Sequence, residues 1–188
     1  MRECVEMRLE TDRTMLRNFE DKDLEDFYEY CSQKGIGEMA GWKHHKNILI
    51  SKKVLERNIK NNNIFAIEYK ENNKVIGHVT VNKDSENGRA DTKELGFVLN
   101  RNYHNQGIMT EVIYRVLDYL FSNGIEYIYA CCFQNNKASK RVIEKCGFSF
   151  EQESSFYSIF LNKSFKSYEY LYCKNNWLLK KKEIETIK

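Results

Sequence analysis

The 188-residue chain has no proline and only nine glycines, so its turns must rely on glycine, asparagine and aspartate. Without proline, no slow prolyl isomerisation is expected to limit folding. The chain also lacks a long uncharged apolar run, and its N-terminal sequence MRECVEMRLE has no apolar h-region. We therefore expect neither a membrane-spanning helix nor secretion.

The sequence also lacks a large excess of charge of one sign, and it lacks metal-binding patterns. The 30 basic and 27 acidic residues leave a formal charge of +3, which is too small to indicate a nucleic-acid-binding protein. The six cysteines form no C-x-x-C, and no cysteine–histidine cluster has zinc spacing, so no metal site is expected. We predict reduced, mostly buried thiols and a cytoplasmic location, because a disulfide framework does not suit a chain this long.

Apolar residues are plentiful enough to build a core. Hydrophobic residues make up 41% of the chain and aromatic residues 13%, which predicts a single domain over residues 1–188. Residues 178–188 contain three consecutive lysines and are expected to form a solvated, frayed basic tail.

The pattern of apolar residues predicts strands that alternate with helices. The expected strands are residues 13–17, Ile64–Tyr69, 75–81, Thr92–Leu99, Tyr127–Phe133, 148–150, 156–161 and 168–173. The expected helices begin after Asp21 and Asp23, at Asn47, after Gly107 and after Asn136. The continuous apolar run Tyr127–Phe133 is typical of a strand buried on both faces. This order of elements favours an α/β domain with a mixed sheet.

A glycine-bearing turn at residues 105–110 joins the strand Thr92–Leu99 to a strongly amphipathic helix. The apolar stripe of that helix consists of Met109, Val112, Ile113, Val116, Leu117, Leu120 and Phe121. The first amides of a helix have no intrahelical partner, and Gly107 lets the backbone come close to an anion. The turn can therefore hold a phosphate, although a tight turn with no ligand fits the same residues.

Three further segments carry a family resemblance. E-L-G-F-V-L at 94–99, Y-H-N-Q-G-I-M-T-E at 103–111 and N-K-A-S-K-R-V-I-E-K-C-G-F at 136–148 resemble, in order and spacing, the acetyl-CoA-binding core of the GNAT superfamily of N-acetyltransferases. The segments E-T-D-R-T-M-L-R-N-F and D-L-E-D-F-Y look like the opening of the branch that contains the ribosomal-protein alanine N-acetyltransferases. The resemblance covers residues 10–177.

The resemblance implies the GNAT (acyl-CoA N-acyltransferase) fold, an α/β domain with a central mixed, mostly antiparallel sheet of about seven strands flanked by about four helices. It also implies transfer of acetyl from acetyl-CoA to a primary amine by direct attack within a ternary complex. The acceptor amine is either a protein N-terminal α-amine or a small-molecule amine.

The resemblance assigns cofactor contacts to three places in the chain. The residues implied are Phe97, Val98 and Leu99 for the pantetheine arm, His104, Asn105, Gln106, Gly107, Ile108, Met109 and Thr110 for the pyrophosphate, and Asn136 at a helix start. The family usually has Arg or Gln at the position of His104, and Gly or Ala at that of Met109. The ribosomal-type branch often carries an aromatic residue and a Met at these positions, so we interpret the difference as a mark of the branch.

Two residues are implied in catalysis. Glu94 stands where the family places a general base for the amine, and Ser139 where a hydroxyl donates to the departing thiolate. A salt-bridged strand glutamate and a first-turn helix serine are the corresponding structural alternatives. Trp42, His44 and His45 follow a glycine-rich connection at residues 32–41 that we expect to be mobile. In the family this region shapes the acceptor pocket; an ordinary loop with one aromatic anchor is the alternative.

Two other functions fit the same sequence. A protein that binds an acyl-CoA but has lost catalysis would act as a sensor or scaffold, and the presence of Glu94 and Ser139 disfavours it. A basic RNA-associated protein is disfavoured by the small net charge. Apolar strand edges near the C-terminus make a homodimer a reasonable expectation.

Overall fold

The computed structural model describes residues 8–83 and 89–186, and side chains up to residue 182. The strands are β1 (Leu9–Glu10), β2 (Thr14–Arg17), β3 (Ile64–Tyr69), β4 (Lys74–Lys83), β5 (Thr92–Leu99), β6 (Tyr127–Phe133), β7 (Ser149–Ser158) and β8 (Lys163–Cys173). The α-helices are α1 (Leu24–Cys31), α2 (Ile48–Ile59), α3 (Ile108–Ser122), α4 (Lys137–Cys146) and α5 (Lys174–Thr186). Short 3-10 helices cover Asp21–Asp23, Glu38–Ala40 and Arg101–Tyr103.

All the strands of the described residues belong to one 8-stranded sheet with the order β1-β2-β3-β4-β5-β6-β8-β7. Only the β5–β6 pair is parallel. The mixed, mostly antiparallel α/β sheet predicted from the sequence is therefore confirmed, with one more strand and one more helix than the family resemblance implies.

The apolar stripe of α3 packs against one face of this sheet. Met109, Val112, Ile113, Val116, Leu117, Leu120 and Phe121 are all buried. Side chains alternate between the faces of a strand, so Phe65 and Ile67 of β3 join this cluster, whereas Ile64 and Ala66 face a second cluster formed with α1 and α2. The sheet is thus covered by α3 on one side and by α1 and α2 on the other.

The parallel pair separates halfway along its length. Pairing between β5 and β6 extends only from Thr92 and Tyr127 to Leu95 and Ala130. Beyond this point β5 remains bonded to β4 as far as Leu99, and β6 remains bonded to β8. The two strands therefore diverge, and the β6-facing edge of β5 is left without a strand partner.

Several local predictions were wrong near the C-terminus. The three short strands expected after residue 147 are two long strands joined by a turn at residues 159–162. The hydrophobic pattern is weak here because β7 is an edge strand with mostly exposed side chains. Pairing with β8 in a hairpin, rather than burial of alternate residues, stabilises β7 as a strand. Within the described residues the tail is helical rather than frayed, because α5 extends through Thr186, and Trp177 near the start of this helix packs on Phe121 of α3.

Burial of β6 also differs from the prediction. Ile128, Ala130 and Cys132 are buried, whereas Cys131 on the other face is exposed, so that face of the strand is only partly covered. Among the other cysteines in the described residues, Cys31 and Cys146 are buried as expected and Cys173 is partly buried; all of these thiols are free. Cys4 lies outside the described residues.

The outer edge strand β7 and its hairpin expose large apolar side chains. These are Phe150, Phe156, Tyr157, Ile159 and Phe160. We expect this apolar strand edge to form the contact of a homodimer, and the homodimer stays a prediction. No helix within residues 8–83 and 89–186 is long and apolar enough to cross a bilayer.

Replacement of a stripe residue on α3 is expected to destabilise the fold. Leu117 is 1% exposed, so Leu117→Ala removes buried methyl groups and leaves a cavity, which typically costs about 2–5 kcal/mol. Leu49→Ala is the matched control, because this helical leucine is 66% exposed and its loss should cost less than about 0.5 kcal/mol. Urea unfolding measures both, and equal losses would contradict the assigned core.

A buried histidine is expected to make the fold sensitive to acid. His78 packs beside Phe19 and Phe27, and its Nδ1 lies 2.9 Å from the Tyr30 hydroxyl. Burial, and then the neighbouring His45, lower the pKa of His78 from 6.5 to about 4. Between these values the unfolded chain binds a proton that the folded chain does not, so folding stability falls as the pH falls through this window.

The measurement is the free energy of unfolding of the wild type and of His78→Gln between about pH 7 and pH 4. The wild type should lose up to about 1.4 kcal/mol per pH unit more than the variant across this range. Parallel curves for the two proteins would show that His78 does not titrate as its burial requires.

Candidate active site

A cavity of about 560 Å³ lies where β5 and β6 diverge. Its wall is formed by the free edge of β5, the starts of α3 and α4, and part of the connection between α1 and α2. The lining residues are Gly35, Ile36, Met39, Ala40, Phe97, Val98, Leu99, Arg101, Tyr103, His104, Asn105, Gly107, Ile108, Met109, Thr110, Asn136, Lys137, Ala138, Ser139, Arg141, Val142 and Lys145. Every cofactor residue predicted from the sequence lines this cavity except Gln106.

The turn before α3 has the conformation that an anion site needs. Asn105 (φ 59) and Gly107 (φ 76) both adopt left-handed backbone conformations, and Gly107 is the N-cap of α3. The amides at the start of α3 have no intrahelical acceptor, and the helix dipole is positive here. The turn therefore offers a cluster of donors to the cavity.

His104 braces the end of β5. Its Nε2 lies 2.9 Å from the carbonyl oxygen of Leu99. A carbonyl only accepts hydrogen bonds, so Nε2 carries the hydrogen and donates it. This hydrogen bond holds the His104 ring against the end of β5, and both residues line the cavity.

The start of α4 is fixed by Asn136. Its Oδ1 accepts a hydrogen bond from the Ser139 amide (3.1 Å), which is the predicted cap, and its Nδ2 donates to the Met39 carbonyl (3.3 Å). Ser139 is partly buried and lines the cavity. Asn136 thus links the helix to the connection between α1 and α2.

Two predicted residues lie away from the cavity. The side-chain amide of Gln106 donates to the Asn102 carbonyl (3.0 Å). Glu94 lies just before the point where β5 and β6 separate, and by strand alternation it shares the face of Val98, which packs in the cluster of α1 and α2. Glu94 therefore lies on the side of the sheet opposite α3.

The sequence analysis missed a row of cations along the cavity. Lys137, Arg141 and Lys145 recur at i, i+4 and i+8 and so share one face of α4. This spacing is visible in the sequence and could have identified them. Arg101 also lines the cavity, and its placement at the end of β5 has no comparable sequence signal.

The connection between α1 and α2 forms a strap, residues 33–42, across the divergent strands. The Gln33 side-chain amide donates to Asn100 Oδ1 (2.8 Å), and the Ser158 hydroxyl donates to the Gly41 carbonyl (2.6 Å). Oε1 of Glu38, a strap residue, lies 2.7 Å from Nδ1 of His44, which follows the strap. Although burial alone would raise the pKa of Glu38, hydrogen bonds from His44 and from backbone amides lower it to about 2. The strap is therefore anchored at several points.

The residues that we predicted to shape the acceptor pocket are placed differently from one another. His45 is buried, its Nδ1 lies 2.7 Å from the Ser51 hydroxyl, and its ring packs 5.4 Å from that of Trp42. These two residues anchor the strap in the core, as in the alternative interpretation. His44 is only partly buried and pairs with Glu38.

Comparisons with known proteins agree with this geometry. The family described as "Acetyltransferase (GNAT) domain" matches residues 13–149, well over half of the chain. An uncharacterized N-acetyltransferase, YnaD of Bacillus subtilis (strain 168), is 30% identical over 146 residues, which cover 75% of this chain and 82% of YnaD.

Two solved structures share the fold. The microcin C7 self-immunity acetyltransferase MccE, in complex with acetyl-CoA and AMP, has a TM-score of 0.75 and 25% identity, covering 87% of this chain and 93% of its own. A ribosomal-protein-S5-alanine acetyltransferase from Vibrio fischeri has a TM-score of 0.70 and 19% identity, covering 91% and 98%. The strand separation, the glycine turn and the matched segments together establish that this chain belongs to the GNAT family of acetyltransferases.

Proposed function

We propose that the protein transfers the acetyl group of acetyl-CoA to a primary amine, either a protein N-terminal α-amine or a small-molecule amine, by direct attack in a ternary complex. The observation that carries the proposal is the opening of one cavity onto both the free edge of β5 and the glycine turn of α3. The complex of the related MccE with acetyl-CoA supports the choice of acyl donor.

The cavity wall suits the two polar parts of this donor. The amides of the Gly107 turn and the cations Arg101, Lys137, Arg141 and Lys145 surround space for a pyrophosphate and other phosphate groups. The backbone of Phe97, Val98 and Leu99 presents an unpaired strand edge, which suits the amides of a pantetheine arm. A backbone amide there would also polarise the thioester carbonyl.

The proposed chemistry needs a neutral amine and a good leaving group. An α-amine with a pKa near 8 is roughly a tenth deprotonated at neutral pH, and a lysine-like amine far less. We assign Glu94 to take the amine proton, directly or through a water. Glu94 lies just before the point where β5 and β6 separate, on the sheet face opposite α3. Ser139, on the cavity wall, would donate to the departing thiolate.

The first test measures acetyl-CoA binding through its effect on thermal unfolding. At about a hundred times its dissociation constant, acetyl-CoA should stabilise the wild type by roughly 2.7 kcal/mol. Gly107→Val should remove this shift, because a β-branched residue strains a backbone with φ of +76 and would displace the turn amides that are proposed to bind the pyrophosphate.

Gly124→Val is the matched control. Gly124 also has a positive φ (+88), at the other end of α3, and a Cβ atom added there would meet no described atom within 4 Å apart from its immediate chain neighbours. It should lose a similar amount of intrinsic stability and keep the full acetyl-CoA shift. A folded Gly107→Val protein that binds like the wild type would place the site elsewhere.

Glu94→Gln tests catalysis separately from binding. Loss of a general base should lower kcat by roughly 100-fold, with acetyl-CoA binding unchanged. The measurement is kcat between about pH 6 and pH 9, with peptide N-termini and polyamines as acceptors, because the deficit should shrink as the amine deprotonates unaided. Glu56→Gln, on the exposed face of α2, is the control.

Wild-type rates in Glu94→Gln at every pH would remove Glu94 from the mechanism. Saturable acetyl-CoA binding by the wild type without turnover of any amine would favour the acyl-CoA sensor or scaffold instead.

A further inference from the structure

Arg13, in the turn that joins β1 to β2, reaches the glycine turn of α3. Its Nη1 donates to the carbonyl oxygen of Gln106 (2.9 Å), although 93 positions separate the two residues. A Cβ atom at Gly107 would lie 3.8 Å from Nη2 of Arg13. The guanidinium therefore lies directly against the turn, yet Arg13 is not among the residues that line the cavity.

Glu111, in the first turns of α3, fixes the position of Arg13. Nε of Arg13 donates to Glu111 Oε2 (2.7 Å), Nη2 lies 2.6 Å from the same oxygen, and the backbone amide of Arg13 donates to Oε1 (3.1 Å). Burial opposes ionisation of Glu111, but hydrogen bonds from Thr11 and Arg13 lower its pKa. The planar guanidinium thus binds the carboxylate on one side and the Gln106 carbonyl on the other.

The geometry of a peptide unit gives this contact a consequence. The Gln106 carbonyl and the Gly107 amide belong to the same planar peptide group, and no cis peptide occurs in the described residues. In a trans peptide these two groups point in opposite directions. A guanidinium that holds the carbonyl on one side of the turn therefore holds the Gly107 amide toward the other side.

We propose that Arg13, fixed by Glu111, is a positioning residue that orients the Gly107 amide toward the pyrophosphate of acetyl-CoA. The inference rests on the proposed function, since it assigns a role within the same donor site. It predicts that Arg13 contributes to recognition of the pyrophosphate half of the donor and not to acetyl transfer. Glycine at 107 and its left-handed conformation permit the turn, but they do not by themselves fix the direction of its amide.

The test compares two acyl donors. Arg13→Met should raise KM for acetyl-CoA, and Kd for CoA by calorimetry, by about tenfold, equivalent to about 1.4 kcal/mol. The kcat/KM for S-acetylpantetheine, which lacks the pyrophosphate and the nucleotide, should stay at the wild-type value. Arg13→Lys keeps a positive charge, but its ammonium group lacks the planar shape with which the guanidinium contacts Glu111 and the Gln106 carbonyl together. This variant should therefore restore only part of the CoA affinity.

Arg115→Met is the matched control. Arg115 pairs with Asp118 on the same helix at 3.5 Å, and its side chain is 38% exposed, compared with 39% for Arg13. This variant should leave both donors unaffected. Circular dichroism and thermal unfolding of each variant confirm that the fold is intact.

The outcomes separate the two proposals. If the wild type binds CoA and the Arg13→Met variant binds it with the same affinity, the role of Arg13 is overturned and the proposed function stands. Equal losses for acetyl-CoA and S-acetylpantetheine overturn it too, because they indicate a general structural defect. Wild-type protein that neither binds CoA nor uses acetyl-CoA overturns the proposed function and this inference with it.

Discussion

The fold depends on the point at which two parallel strands stop pairing. Backbone hydrogen bonds hold β5 to β4 as far as Leu99 and β6 to β8 as far as Phe133, so neither strand can follow the other beyond Leu95 and Ala130. Unpaired backbone groups are costly when they are buried, and here they face a cavity that a ligand or water can enter. The opening is thus sustained by stable sheet on both sides.

Other features of the site follow from this separation. The chain leaves the free end of β5, passes through the 3-10 helix Arg101–Tyr103 and enters α3 after its N-cap Gly107, which brings a positive helix end to the same opening. The start of α4 lies beside it after β6. The strap then spans the divergent strands and is tied to the end of β5 through Asn100 and to the start of α4 through Asn136.

Charge is distributed unevenly around the opening. The cavity side carries Arg101 and the α4 row of Lys137, Arg141 and Lys145, whereas Glu94 lies on the opposite face of the sheet. A phosphate-bearing donor and an amine acceptor make opposite demands, since one is attracted by cations and the other must lose a proton. The sheet keeps these two environments apart.

The sequence by itself determined the features that depend on local pattern: the strands β3 to β6, the buried stripe of α3, the caps at Asn136 and Gly107, and the segments shared with the GNAT family. These follow from side-chain periodicity and backbone preference within a few residues. Only the tertiary structure decided the separation of β5 from β6, the face on which Glu94 lies, the anchoring of the strap and the contact of Arg13 with Gln106. Each of these depends on groups far apart in the chain, and packing of the whole sheet, rather than local preference, brings them together.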